Sequence, residues 1–248
     1  MPDALIAARV AYAKLAGKRL RGVAALPHIS EKNNFVYLAA GLVLLLFVGA
    51  LLEYLPGDSG PRITQGATVA ALFICAGSQK GNGSRFASIL VFTLVMLLLV
   101  VGGAMLDRAG LNYAHMLMLL CFFLWMTWLA ARQVLFTGSI TRNDIVGAIC
   151  IYMLLGLIWA MIYLLIGELM PGAFNGLSQA PWLENFAAVV YFSFVTITTL
   201  GYGDISPASP LARFFVIMEA IVGVFYMAIL VASLIGVRMS DREATRSK

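Results

Sequence analysis

Long apolar runs separated by short polar breaks dominate the chain. Six of them, at about 35–52, 63–77, 86–106, 111–136, 145–166 and 211–237, read as membrane-crossing helices, the second being the shortest. A helix needs about 20 apolar residues to cross a hydrocarbon core about 30 Å thick. A shorter apolar run at 186–199 is too brief to cross and reads as a re-entrant half-membrane helix. The stretch after it, Thr196–Asp204, is too polar and glycine-rich to lie in lipid as a span. The pattern predicts an all-α membrane protein.

Composition agrees. Of 248 residues, 61% are hydrophobic and 12% charged, and the mean hydropathy is +0.91, which excludes a soluble domain. With both termini on the cytoplasmic side, fourteen of the seventeen Lys and Arg residues fall in inner segments, leaving Arg62, Arg108 and Arg213 outside. Cytoplasmic loops gather cations in this way, and five or seven spans would break the alternation. The net charge of +5 is thereby explained by the inner membrane surface, and no nucleic-acid motif accompanies it. The cysteines, Cys75, Cys121 and Cys150, are odd in number, sit in apolar runs and have no metal-site spacing, so they read as packing residues. No nucleophile with its base, paired carboxylates or phosphate loop is present, so the chain does not read as an enzyme.

Thr196–Asp204 reads Thr-Ile-Thr-Thr-Leu-Gly-Tyr-Gly-Asp. Alone, Gly-Tyr-Gly-Asp could be an ordinary turn. Here a threonine run, an aromatic half-helix and an apolar span on each side accompany it. Thr199-Leu200-Gly201-Tyr202-Gly203 matches the signature of a potassium-channel selectivity filter, with Leu200 where Val is commoner. The chain resembles a prokaryotic potassium channel over roughly residues 144–238.

The resemblance implies that K⁺ is the permeant ion, coordinated by the carbonyls of Thr199, Leu200, Gly201 and Tyr202 and by the Thr199 hydroxyl, with no organic cofactor. Backbone carbonyls in stacked rings replace the ion's hydration shell. Gly201 and Gly203 are expected to enter backbone regions closed to other L-residues. One chain supplies one strand, so the resemblance implies a homotetramer with four-fold cyclic symmetry.

Around this strand, Tyr191, Thr196, Thr198 and Asp204 are expected as supports. Relatives carry a Trp pair where Tyr191 and Phe192 stand, and some carry an acid at Val195. Bonds from Tyr191 to Asp204, and from Thr196 to Tyr202, are the substitutes to look for. Asp204 could instead concentrate cations at the mouth. Glu168 to Leu183 is expected as an external turret, with Pro181 and Trp182 before the pore helix. Glu184 is expected in that helix's first turn, where a carboxylate suits the positive helix end, with a plain surface acid near the mouth as an equal alternative. On the last span, Gly223 falls where relatives carry a hinge glycine, and close packing against the pore helix is an equal alternative. Val224, Met227, Val231 and Ile235 follow at helical spacing and are expected to line an inner cavity and gate. Glu219 lies inside the same span, where a carboxylate is costly and usually paired or functional. It could be a neutral structural acid or a protonatable regulator.

Residues 1–34 form a basic arm, expected as an amphipathic helix on the inner leaflet held by anionic lipid; a solvated tail is the alternative. Spans one to four (35–136) stand where voltage-gated relatives carry a sensor. Steep gating takes about three or four charges per subunit, and the fourth span has as its one strong cation Arg132, a possible regulatory residue. Weak or no voltage sensing is therefore expected. His28 and His115 read as interface residues. A linker at 137–143, a pore domain at 144–238 and a short tail at 239–248 complete the organisation. The sequence reads as a K⁺-selective channel subunit of the plasma (inner) membrane. A weakly selective cation channel or a non-conducting accessory subunit are its alternatives.

Overall fold

The computed structural model describes residues 34–52, 66, 83–106, 109–135 and 142–246. Its elements are α1 (Asn34–Leu52), α2 (Gly83–Leu106), α3 (Ala109–Leu135), α4 (Arg142–Leu169), β1 (Phe174–Asn175), α5 (Phe186–Ile197), β2 (Ser206–Pro207) and α6 (Pro210–Arg246). The run at 63–77, the basic arm with His28, most of the linker, and Cys75 lie outside the described residues.

Among the described residues, four helices are long and apolar enough to cross a membrane: Asn34–Leu51, Gly110–Val134, Asn143–Leu169 and Pro210–Ser233. Helix α2 has 24 residues, with Leu90–Gly102 as its described apolar stretch. Helix α5, at 12 residues, is about 18 Å long and too short to cross. Three boundaries differ from the sequence reading. Helix α4 begins at Arg142, α5 stops at Ile197, and α6 runs on through the expected tail to Arg246.

Helix α4 organises the molecule. It packs against α1, α3, α5 and α6, whereas α2 packs on α3. On α1 the buried residues Phe35, Leu38, Leu42 and Leu45 recur at helical spacing, while Val36, Val43, Phe47 and Leu51 stay bare. Helices α1, α3 and α4 are tied at one end by side-chain amides. Asn34 Nδ2 donates to Gln133 Oε1 and Asn143 Nδ2 donates to Asn34 Oδ1, each at 2.9 Å. One hydrophobic cluster runs from α1 through α4 to α5.

Burial is uneven in a way that matters for assembly. Of the apolar windows, 61% of that in α4 is buried but 11% of that in α6. Phe214, Ile217, Ile221, Phe225 and Ile229 are exposed on α6, as are Val224, Met227 and Val231.

Candidate functional site

Helix α5 is hydrophobic nearly throughout and buries Phe186, Val189, Val190, Phe192, Val195 and Ile197. Its start is tied to the turret through Asn185. The amide Nδ2 of Asn185 donates to the Ser178 and Ala180 carbonyls at 3.0 Å, and its Oδ1 accepts from the Ser178 hydroxyl at 2.8 Å. Glu184 precedes the helix, whose first turn holds no acid, so the expected dipole contact is corrected. The carboxylate that does tie this region is Glu168. It sits in the last turns of α4 rather than opening the turret, and accepts from the Trp182 amide at 2.5 Å and the Tyr113 hydroxyl at 3.1 Å.

At the other end, the chain reverses onto the helix it has just left. The amides of Leu200 and Gly201 both donate to the Val195 carbonyl, at 2.9 and 3.3 Å, and the Thr199 amide donates to Thr196 O at 2.9 Å. The Thr198 hydroxyl donates to the Phe194 carbonyl at 2.6 Å. Thr199, Gly201 and Gly203 have positive φ of 59°, 59° and 84°. In an ordinary strand successive carbonyls alternate sides; inverting φ at every second residue turns them toward one side. The amides of Thr199, Leu200 and Gly201 thus point at the helix, and among the described residues no hydrogen bond ends on the carbonyls of Thr199 to Gly203. Leu200 and Tyr202 are 57% and 68% exposed, so this strand borders open space in the single chain.

Sequence reasoning missed the conformation of Thr199. A β-branched residue in the left-handed region stores about 1–3 kcal/mol of strain, and nothing in a threonine's identity announces it.

The strand's supports are distributed unevenly. The Tyr191 phenol lies beside the Asp204 carboxylate, which raises its pKa. Thr196 engages through its backbone carbonyl, and no bond from its hydroxyl to Tyr202 occurs among the described residues. Val195 is buried behind the strand.

A second support comes from the turret. Strands β1 and β2 pair antiparallel, Phe174 with Pro207 and Asn175 with Ser206. Just beyond, Gly176 has φ 82°, and a Cβ there would stand 2.2 Å from the Asp204 carbonyl oxygen. Gly176→Ala is expected to push the strand's outer end away from the turret. The resulting variant should lose at least about 1 kcal/mol of stability, measurable as an earlier thermal transition in detergent. An unchanged transition would mean that the turret yields freely.

Below the strand, Ile197 is a point of convergence. Its carbonyl accepts from the Tyr152 hydroxyl of α4 at 3.0 Å, and Gly223 of α6 lies so close that a Cβ would come within 2.2 Å of the same oxygen. Tyr152 stacks on Tyr226, whose hydroxyl reaches the Ala148 carbonyl at 2.6 Å. Tyr152 was not singled out from sequence, where an aromatic in an apolar span reads as bulk. Val224, Met227 and Val231 lie on the bare side of α6, and the Ile235 side chain lies outside the described residues.

Glu219 is fully buried, at 0% exposure. The Tyr163 hydroxyl donates to its Oε2, and Ser193 Oγ lies 2.6 Å from its Oε1 and 2.7 Å from the Gly156 carbonyl oxygen. Ser193 is the second residue the sequence reading passed over, because its nearness to Glu219 bridges 26 positions. Away from the pore, exposed Arg132 stacks over Trp128 at 5.0 Å. Buried His115 packs edge-on to Trp182 at 5.4 Å, and its nitrogens find no partner among the described residues. Cys150 is buried with its thiol on the Phe35 carbonyl, whereas Cys121 is exposed.

Residues 147–239, which contain α5, the strand and most of α6, match a family model described as Ion channel. The match covers under half of the chain and marks a channel-like stretch within it. The chain is 38% identical, over 66 residues, to a stretch of two pore potassium channel c of Oryza sativa subsp. japonica. That match covers 27% of this chain and 14% of the rice protein. It is 32% identical, over 90 residues, to inward rectifier potassium channel Kirbac3.1 of Paramagnetospirillum magnetotacticum, covering 36% of this chain and 28% of that protein. The chain thus spans well under two thirds of either relative's length. No solved structure matches it. Channel domain and apolar helices together make this a multi-pass membrane protein.

Proposed function

We propose that this chain is the subunit of a potassium-selective channel in which four copies surround one axis and conduct K⁺ passively. The observation that carries the reading is the strand Thr199–Gly203, with positive φ at 199, 201 and 203 and carbonyls that accept no hydrogen bond among the described residues. Inside a membrane an unpartnered backbone carbonyl is costly unless protein, water or an ion satisfies it. A dehydrated cation needs that many oxygens, and a ring needs several copies of the strand. The bare apolar face of α6 supports assembly, because neighbouring copies on one flank and a cavity on the other would both use it. Two potassium channels are among the proteins this chain is similar to.

In this reading Thr199, Leu200, Gly201 and Tyr202 hold the permeant K⁺, and Tyr191, Thr196, Thr198 and Asp204 support the strand. Gly223 sets the crossing of α6, while Val224, Met227, Val231 and Ile235 line the cavity and close it by dewetting. Six spans, cytoplasmic termini in the inner membrane, and a basic arm on anionic lipid complete the topology. Arg132, stacked on Trp128, acts as an interfacial anchor rather than a sensor charge. Voltage dependence is accordingly weak or absent.

Purified protein in planar bilayers tests the proposal. Opposed K⁺ and Na⁺ gradients should give single-channel currents whose reversal potential follows K⁺, with open probability nearly flat in voltage. A reversal potential indifferent to the K⁺ gradient would make it a weakly selective cation channel. Silence from well-folded protein would make it an accessory subunit.

A further inference from the structure

Glu219 sits where three helices meet, and the hydrogen atoms available there can be counted. Tyr163 and Gly156 belong to α4, Ser193 to the pore helix α5 and Glu219 to α6. The contacts are three: Tyr163 hydroxyl to Oε2, Ser193 Oγ to Oε1 at 2.6 Å, and Ser193 Oγ to the Gly156 carbonyl at 2.7 Å. Each contact needs one proton between its oxygens. Tyrosine brings one, serine brings one, and a backbone carbonyl brings none. An ionised carboxylate leaves the third contact with lone pairs facing each other. A protonated carboxyl closes the count, with Tyr163 donating to Oε2, Oε1–H donating to Ser193, and Ser193 donating to Gly156. The three bonds then run in one direction, so each polarises the next.

We propose that Glu219 is held as the neutral acid and serves as a positioning residue, a hydrogen-bonded crosspiece that fixes the pore helix between α4 and α6. Its surroundings fit. The polar groups facing it are Tyr163 and the more distant Tyr152 from α4, and Ser193 from α5. Among the described residues no Lys or Arg pairs with it, so nothing offsets the cost of a buried negative charge. Its partner on the pore helix is well placed to matter. Ser193 lies two residues before Val195, whose carbonyl receives the Leu200 and Gly201 amides. A pore helix free to slide on α4 and α6 would carry that carbonyl, and the strand hung from it, out of register. A neutral Glu219 also lends no negative charge to the cavity beside α6.

The functional part rests on the channel reading above; the protonation state does not, and the tests are separable. Infrared difference spectra of wild-type protein against Glu219→Gln, both in lipid vesicles at neutral pH, read the carboxyl directly. The expected result is a protonated carboxyl C=O band in the wild type that Gln removes. A pair of carboxylate bands in its place would overturn the proposal. K⁺ flux from the same vesicles reads positioning. Gln reproduces the donor–acceptor pattern of the neutral acid, accepting from Tyr163 and donating to Ser193, so flux should stay within about twofold of wild type. Glu219→Ala and Ser193→Ala leave buried partners unmatched, and should lower flux about tenfold or more. A tenfold loss in Gln itself would show that the ionisable group is required and would also overturn it. Should the wild type carry no K⁺ flux, the channel reading falls, while the infrared band still decides the proton.

Discussion

Gly223→Ala is expected to stop conduction and destabilise the protein, although alanine is the better helix former. In an exposed helix the exchange would gain about 0.5–1 kcal/mol. At this position the added Cβ would stand 2.2 Å from the Ile197 carbonyl oxygen, 2.9 Å from Ile197 Cγ1 and 3.1 Å from its carbonyl carbon. Two of these three atoms are backbone, and that backbone is also held by the Tyr152 hydroxyl. It cannot swing aside as the end of a flexible side chain would. Overpacking costs about 1–3 kcal/mol even where side chains can adjust, so the close-contact cost exceeds the propensity gain. K⁺ flux in vesicles should fall at least about tenfold, together with a lower thermal transition in detergent. Gly49→Ala is the matched control, because nothing lies within 4 Å of its Cβ. A Gly223→Ala protein that conducts and melts later would show that the glycine serves flexibility alone.

Gly201→Ala should spare the fold and lose selectivity. Its φ is 59°, yet no atom lies within 4 Å of an added Cβ in the single chain. The cost is therefore backbone conformation, about 1–2 kcal/mol per residue for leaving glycine in the left-handed region. Thr199 bears the same strain, but its amide is anchored to Thr196 O at 2.9 Å, whereas that of Gly201 reaches Val195 O at 3.3 Å. With the weaker tether, the strand should relax by turning one peptide, and in the proposed assembly it would do so in all four copies. Bi-ionic reversal potentials should then approach zero between K⁺ and Na⁺ while the protein stays monodisperse. Retained K⁺ preference would mean that these peptide oxygens are not the coordinating set.

The apolar runs made α1, α3, α4 and α6 legible, since length and hydropathy alone mark a helix that must satisfy its backbone internally. The half-length run before a glycine-bearing strand made α5 legible too. Boundaries were less so: α6 continues through Arg238 and Arg242 to Arg246, because charged residues that end a span need not end a helix. Glu184 illustrates a different failure. Placing an acid at a helix start by spacing requires knowing the first helical residue, and a shift of two positions removed the contact.

Sequence by itself determined that this chain crosses a membrane several times and carries a strand rich in glycine and threonine between two apolar helices. Both properties are local, set by hydropathy and by the φ that glycine alone adopts cheaply. Tertiary structure alone decided what holds that strand. It brought Tyr152 and Gly223 onto one carbonyl of Ile197, Gly176 against Asp204, and Tyr163, Ser193 and Glu219 into one buried chain of hydrogen bonds. These partners lie tens of residues apart, most of them on different helices. Their meeting depends on how α4, α5 and α6 cross, and no residue pattern within a single helix encodes that.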